Sequence, residues 1–214
     1  MFVLLLDITL PPEHAVAALA TTLAPALATL PALADHWVAP TMPALSANAG
    51  QLVARLVFAD ERRAQHAETS REWREHVSPL LTGTQVARVG YSPIMSGAAE
   101  GGPGIWRALL VKVLHGTPAA QVAAFERDLL LMPDHVSTIR SWSLGSVTSQ
   151  AEPGAFTHVW EQEFDDAAGF TGEYMHHPVH WGVVDGWFDP ETAHCIVAPL
   201  MVQLVGSTER PLIQ

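Results

Sequence analysis

The order in which strands and helices follow one another repeats between the two halves of this 214-residue chain. Short apolar runs with β-branched residues indicate strands, and apolar residues three or four apart indicate helices. In the first half these patterns predict strands at 2–9, 51–58 and 84–91, a candidate strand at His36–Ala39, and helices at 12–30 and 61–77. In the second half they predict strands at 106–114, 139–146, 156–164 and within 196–205, and helices at 118–131 and 166–175. Both halves therefore have the order β-α-β-β-α-β.

The register of the two halves also agrees. Gln51–Asp60 and Thr157–Asp166 each consist of a strand that ends in Phe, followed by a residue that can cap a helix. A βαββαβ sheet covers one face with helices and leaves the other apolar face bare, so two such sheets can bury these faces against each other. We therefore expect an α+β fold in which two ferredoxin-like βαββαβ domains in tandem form an intramolecular dimeric α+β barrel.

Small and flexible residues separate the two halves. The segment 96–104 reads SGAAEGGPG, and such residues cannot pack a core. We expect a degenerate ferredoxin-like domain at residues 1–97, a linker at 98–104, and a second domain at 105–214 that carries the functional site. The chain would then be a monomeric pseudo-dimer, or a homodimer if two fused chains pair further.

Charge and cysteine content narrow the functional classes. With 22 acidic and 11 basic residues the formal net charge is −11, which disfavours binding to nucleic acid and to anionic membrane surfaces. The uncharged stretch 15–34 is mostly Ala and Thr, too weakly apolar for a good transmembrane helix. Cys195 is the only cysteine and no secretion signal is recognisable, so we expect a cytoplasmic protein without disulfides.

The second half resembles a known family over residues 105–205. The resemblance lies in WRALLVKV at 106–113, in the Thr117-Pro118 opening of a helix, in FTHVWEQEF at 156–164, and above all in YMHHPVH at 174–180. These residues are similar to the stress-responsive dimeric α/β-barrel (Dabb) family. The first half shares the element order but has Glu68 and Arg74 at the registers of Tyr174 and His180, so it is interpreted as a degenerate copy.

The resemblance implies roles for individual residues. Members of the family include a plant polyketide cyclase and plant hydroxynitrile lyases. By residue-to-residue correspondence, His180 would be the general base, Tyr174 would bind a substrate oxygen, and His158 would line the pocket. Arg107 stands where the cyclase has a pocket histidine. Because an arginine stays protonated at neutral pH, it cannot replace that histidine as a base, but it could bind a carboxylate or an enolate.

Several of these residues also have simpler interpretations. His180 could be a helix-end histidine bonded to backbone, and His158 a satisfied core group. Trp160 and Trp181 could line a pocket for a flat ligand or merely pack in the core. His176, His177 and His180 invite a zinc interpretation, but Pro178 breaks the helix between them and no nearby Cys or carboxylate completes a ligand set. We expect neither a metal nor a cofactor.

The combined expectation is a cofactor-independent lyase or cyclase that acts by general acid–base catalysis on a small hydrophobic carbonyl compound, such as a polyketide-like intermediate. One alternative is a non-catalytic stress-responsive or ligand-binding protein. Another is a cofactor-independent monooxygenase of the antibiotic-biosynthesis type. A cavity of about 300 Å³ or more that touches His180, Tyr174 and His158 would count against a filled, non-binding barrel.

Overall fold

The computed structural model describes residues 1–98, 101–150 and 155–214. In chain order, the first half contains β1 (Phe2–Thr9), α1 (Val16–Leu27), β2 (Leu33–Pro40), β3 (Leu52–Phe58), α2 (Glu61–Thr69) and β4 (Gln85–Ala98). A π-helical turn, Trp73–Val77, and a 3₁₀ turn, Ser78–Leu81, lie between α2 and β4. The second half contains β5 (Gly104–Val111), α3 (Ala119–Leu129), α4 (Leu131–His135), β6 (Ile139–Gln150), β7 (His158–Phe164), α5 (Ala167–Gly169) and β8 (Val202–Thr208). Between α5 and β8 lie two π-helical turns, Phe170–Tyr174 and His180–Val184, and a 3₁₀ turn, Asp185–Trp187.

All eight strands form one antiparallel sheet in the order β2-β3-β1-β4-β6-β7-β5-β8. Each half thus has the same internal strand order, and the pairing of β4 with β6 joins the halves. The edge strands β2 and β8 approach each other, since Thr41, just beyond β2, forms a bridge with Gly206. The result is a ferredoxin-like α+β fold with a nearly closed, barrel-like sheet.

Alternation along β7 shows how the sheet separates two environments. Val159 packs in a cluster of apolar residues from both halves inside the barrel. Trp160 and Phe164 pack instead with the helices that cover the outer face of the second half. Because successive side chains of a strand point to opposite faces, His158 and Gln162 share the outward direction of Trp160. The first half covers its own outer face with α1, through Leu19, Leu23 and Leu27.

Several element boundaries differ from those predicted. The helix predicted at 61–77 ends at Thr69, where Ser70 adopts an extended backbone and its hydroxyl accepts a hydrogen bond from the Trp73 amide at 3.1 Å. The helix predicted at 166–175 is helical for one turn and then widens into the π-helical turn at 170–174. The helix predicted at 118–131 ends at Leu129, and a separate short helix, α4, follows it and contains Pro133, the residue expected to end the helix.

The predicted linker also differs in part. Ser96 and Ala98 belong to β4 and pair with Ser143 and Ser141 of β6. β4 continues past its predicted end at Tyr91 because the predicted part of β6 offers backbone donors and acceptors that the continuation satisfies. Residues 99 and 100 of the linker lie outside the described residues, and β5 begins at Gly104. In the described part of the chain, no helix combines the length and apolar character that crossing a bilayer would need.

Candidate functional site

A cavity of about 410 Å³ lies between the outer face of the second-half sheet and the helical turns that follow β7. Its walls are mainly apolar. Its lining residues are Ala44, Leu45, Arg107, Leu109, Leu129, Trp160, Phe170, Thr171, Tyr174, Met175, His180, Val184, Asp185, Phe188, Met201 and Gln203. Four of the six predicted site residues are therefore brought together here: His180, Tyr174, Arg107 and Trp160.

The break at Pro178 brings Tyr174 and His180 together. Tyr174 ends one π-helical turn and His180 begins the next, and the His180 amide donates to the His177 carbonyl at 2.9 Å. The phenol and imidazole rings meet edge to face with centroids 4.9 Å apart. Tyr174 is 2% exposed and His180 is 9% exposed, so both side chains are largely buried where they line the cavity.

The environment of His180 favours its neutral form. Burial lowers the pKa of the imidazole, the positive charge of Arg107 lowers it further, and the Asp185 carboxylate opposes both effects. Nδ1 lies 3.3 Å from Oδ1 of Asp185, close enough for electrostatic contact, although the arrangement is not that of a hydrogen bond. A buried histidine that is neutral at neutral pH can accept a proton, as a general base must.

Arg107 organises the polar groups of the cavity. It is 4% exposed and projects from β5 towards the helices. Its Nε donates to Oε1 of Gln203 at 2.8 Å, and its Nη1 donates to the Tyr174 hydroxyl at 3.1 Å and to Oε1 of Gln162. Because the Tyr174 oxygen accepts this bond, the phenolic proton remains available to a ligand. The guanidinium carbon also lies 5.1 Å from the ring centroid of Phe170.

Two predicted pocket residues lie outside the cavity lining. His158 is buried between the sheet and α3, with Nε2 3.1 Å from Oε1 of Glu126 and Nδ1 2.8 Å from Oγ1 of Thr157. Burial lowers the pKa of His158, and Glu126 opposes that shift. Trp181 is 62% exposed, because it follows His180 on the helical turn and so points away from the sheet. His158 and Trp181 were predicted to line the pocket, but neither side chain is part of the cavity lining.

Three contributions to the cavity were missed by sequence reasoning. Asp185 lies five residues after His180, a spacing that hints at proximity only once the π-helical turn is known. Gln203 is a lone polar residue in the apolar run IVAPLMVQLV, which was a usable signal. Leu45, together with Ala44, comes from the first half, and nothing in the sequence relates the β2–β3 loop to a site in the second half.

The histidines suspected of binding zinc are dispersed. His176 is exposed, and His177 stacks on His135 with ring centroids 6.2 Å apart while its Nδ1 accepts a bond from the Val179 amide at 3.2 Å. Within residues 1–98, 101–150 and 155–214, no three His, Cys, Asp or Glu side chains are grouped as metal ligands.

Comparison with known proteins agrees with the fold and with the family resemblance. Residues 105–202 match the family model described as Stress responsive A/B Barrel Domain. No curated protein matches the chain in sequence.

Solved structures resemble the chain over nearly its whole length. An anthrone oxidase-like protein has a TM-score of 0.70 and 9% identity, covering 96% of this chain and 90% of its own. A putative monooxygenase from Fusobacterium nucleatum has a TM-score of 0.65 and 7% identity, covering 98% of this chain and 95% of its own. A putative monooxygenase from Lactobacillus acidophilus has a TM-score of 0.60 and 8% identity, covering 100% of this chain and 99% of its own. At such low identity the likeness shows a shared fold.

Proposed function

We propose that the second half of this chain, a stress-responsive A/B barrel domain, is a cofactor-independent lyase or cyclase that acts on a hydrophobic carbonyl compound by general acid–base catalysis. The observation that carries the proposal is the meeting of three buried side chains, His180, Tyr174 and Arg107, at one partly open cavity of about 410 Å³. A base, an oxyanion donor and a fixed positive charge are the groups that enolate chemistry needs.

His180 would begin the reaction by removing a proton from the carbon next to the substrate carbonyl. Asp185 lies on the Nδ1 side of the ring, so Nε2 would be the atom that takes the proton. The electron pair of the broken C–H bond enters the enolate. The enolate carbon then attacks a second carbonyl in a cyclase, or expels a leaving group in a lyase, and the protonated His180 returns the proton to the resulting anionic oxygen or leaving group.

Tyr174 and Arg107 would stabilise the enolate. The Arg107 hydrogen bond to the phenolic oxygen polarises the O–H group of Tyr174, so that it donates more strongly to an oxygen that gains negative charge. Apolar side chains, including Leu109, Leu129 and Phe170, surround these polar groups and would lower the local effective dielectric constant, which strengthens their electrostatic interactions.

Deuterium exchange tests the first step without knowledge of the natural substrate. Incubation of butyrophenone with the protein in D₂O should increase α-proton exchange about 100-fold over buffer, measured by NMR. His180→Ala should abolish the increase, whereas His176→Ala, which changes an exposed histidine in the same string, should retain it. Equal exchange by the wild type and His180→Ala would refute the assignment of the base.

A monooxygenase is the second candidate function. The observation that favours it is the same pairing of His180 with Tyr174, because deprotonation of a phenol or a related carbon acid gives an electron-rich anion that O₂ can attack. The two candidates differ in their need for oxygen. Turnover that consumes O₂ and stops under anaerobic conditions would support the monooxygenase, whereas unchanged anaerobic turnover would support the lyase or cyclase.

We further propose that the chain is a tandem fusion of two ferredoxin-like domains, at 1–97 and 105–214, that functions in the cytoplasm. The identical strand order of the two halves supports this division. The fusion makes the barrel within one chain, so light scattering of the purified protein should give the mass of a monomer, 23.1 kDa. A stable dimer would show that the fused chains pair further.

A further inference from the structure

We infer that the cavity binds a substrate with a permanent carboxylate, and that Arg107 is its partner. This inference rests on the proposed function, since it concerns the same cavity, and it adds the charge of the ligand. The juxtaposition that carries it is a buried guanidinium without a carboxylate partner at the wall of a mainly apolar cavity.

The electrostatic situation of Arg107 is unusual when compared with that of Arg55. Both side chains are almost fully buried, at 4% and 3% exposed. Arg55 is paired with the Glu161 carboxylate, with Nε 2.8 Å from Oε1. In the described part of the chain, no carboxylate lies within 4.0 Å of the Arg107 guanidinium. Burying an unpaired charge costs free energy, and an anion bound beside the Arg107 guanidinium would reduce that cost.

The hydrogen-bond inventory of Arg107 identifies where the anion would bind. Three of its five N–H groups are used by neutral acceptors, on Gln203, Gln162 and Tyr174. The two remaining N–H groups, on Nη2, have no acceptor among residues 1–98, 101–150 and 155–214. Nη2 therefore presents a pair of donors, which suits a carboxylate oxygen.

Two other side chains, one in the cavity lining and one in contact with Arg107, also have unused donors. The indole N–H of Trp160, which lines the cavity, and the side-chain Nε2 of Gln162, which contacts Arg107, are both buried without a partner in the described structure. Asp185 is the one carboxylate in the lining; it is half exposed and lies against His180. The unused donors on Arg107 and Trp160 favour a ligand group that accepts hydrogen bonds, and no carboxylate of the described residues is paired with Arg107.

The remaining walls define the rest of the ligand. They are contributed by aliphatic and aromatic side chains, among them Leu45, Leu109 and Phe170. A volume of about 410 Å³ is in the range of pockets that hold compact organic ligands. The ligand class is therefore a hydrophobic monocarboxylic acid, with its carboxylate at Arg107 and its apolar part towards the β2–β3 loop.

A matched pair of probes separates charge from shape. We expect 4-butylbenzoate to bind the wild-type protein at least 10-fold more tightly than 4-butylbenzamide in isothermal titration calorimetry at pH 7.5. Arg107→Met should remove this preference: the affinity for the acid should fall to that for the amide, and the affinity for the amide should not change. Arg127→Met, which changes an exposed arginine on α3, should leave both affinities unchanged.

The outcomes distinguish this inference from the proposed function. Equal or tighter binding of the amide by the wild-type protein, or no saturable binding of the acid, would overturn the inference even if Arg107→Met fails to fold. So would an Arg107→Met variant that keeps the preference for the acid. His180→Ala should keep that preference while losing deuterium exchange. Exchange without any preference for the acid would refute the carboxylate partner alone, and preference without exchange would refute the catalytic proposal alone.

Discussion

At the scale of single residues, the protonation of His180 depends on two neighbours with opposite charges. Arg107 lowers the pKa of the imidazole and Asp185 raises it, while burial, the largest effect, lowers it. The balance keeps His180 neutral at pH values where an exposed histidine would be partly charged. Each charged neighbour can be removed by a separate substitution, and the direction in which each substitution shifts the pKa of His180 can be predicted.

Asp185→Asn should move the titration midpoint of His180 to lower pH, because the carboxylate that favours the charged imidazole is lost. Arg107→Met should move it to higher pH, because a repelling positive charge is lost. NMR titration of the His180 ring in the ligand-free protein measures both shifts, with Asp189→Asn, an exposed aspartate four residues further on, as the control. Shifts in the reverse directions would contradict the electrostatic account.

Tyr174→Phe should lower the exchange rate about 10- to 1,000-fold with a smaller effect on KM, because the phenol donates to charge that develops in the transition state. The chain has only two tyrosines, and the other, Tyr91, packs inside the barrel. Tyr91→Phe is therefore a matched control and should retain the wild-type rate. A Tyr174→Phe variant with an unchanged rate would assign the phenol a purely structural role.

At the scale of elements, the β2–β3 loop of the first half completes the cavity of the second half. Backbone bonds attach it to β8: the Met42 amide donates to the Val205 carbonyl at 2.8 Å, and Ala47 and Gln203 exchange two bonds of 2.9 Å each. The Gln203 side chain donates to the Leu45 carbonyl at 2.6 Å and accepts from Arg107. The loop is thus connected to the guanidinium through one glutamine side chain.

Leu45→Trp should narrow the cavity and weaken the binding of 4-butylbenzoate about 10-fold or more, because the larger ring occupies space that the butyl group would use. Titration calorimetry measures the change. Leu114→Trp, at a largely exposed position in the second half, should have no effect. Unchanged affinity in Leu45→Trp would show that the loop does not contact the ligand.

At the scale of the whole molecule, a buried ion pair links the two halves across the barrel. Arg55 of β3 donates to both carboxylate oxygens of Glu161 of β7, at 2.8 and 3.1 Å, and Glu161 Oε1 also accepts from the Trp106 indole at 2.8 Å. Burial alone would lower the pKa of Arg55, but the adjacent Glu161 carboxylate more than offsets this and raises it. Because the barrel interior is shared, the two halves should unfold in one transition.

Arg55→Met should reduce the free energy of unfolding by about 3–5 kcal/mol, since it leaves the Glu161 carboxylate buried without a partner. Addition of Glu161→Gln should recover much of the loss, because the neutral amide still accepts from Trp106. Urea denaturation measures both values. Two separate transitions in the wild-type protein, or no loss in Arg55→Met, would contradict the view that the pair stabilises a shared interior.

The sequence by itself determined the order of the strands and helices, because that order follows from local periodicity. The resemblance of the 174–180 string implied that Tyr174 and His180 belong to one site, and the structure brings their rings together. Periodicity alone did not determine that Trp181 is exposed, since the direction of a side chain on a helical turn depends on which face of that turn packs on the sheet. Nor did it relate Gln203, Leu45 and Arg107, which are far apart in sequence. Only the tertiary structure decided those contacts, because they form when the edge strand β8 of the second half hydrogen-bonds to the backbone of the β2–β3 loop of the first half.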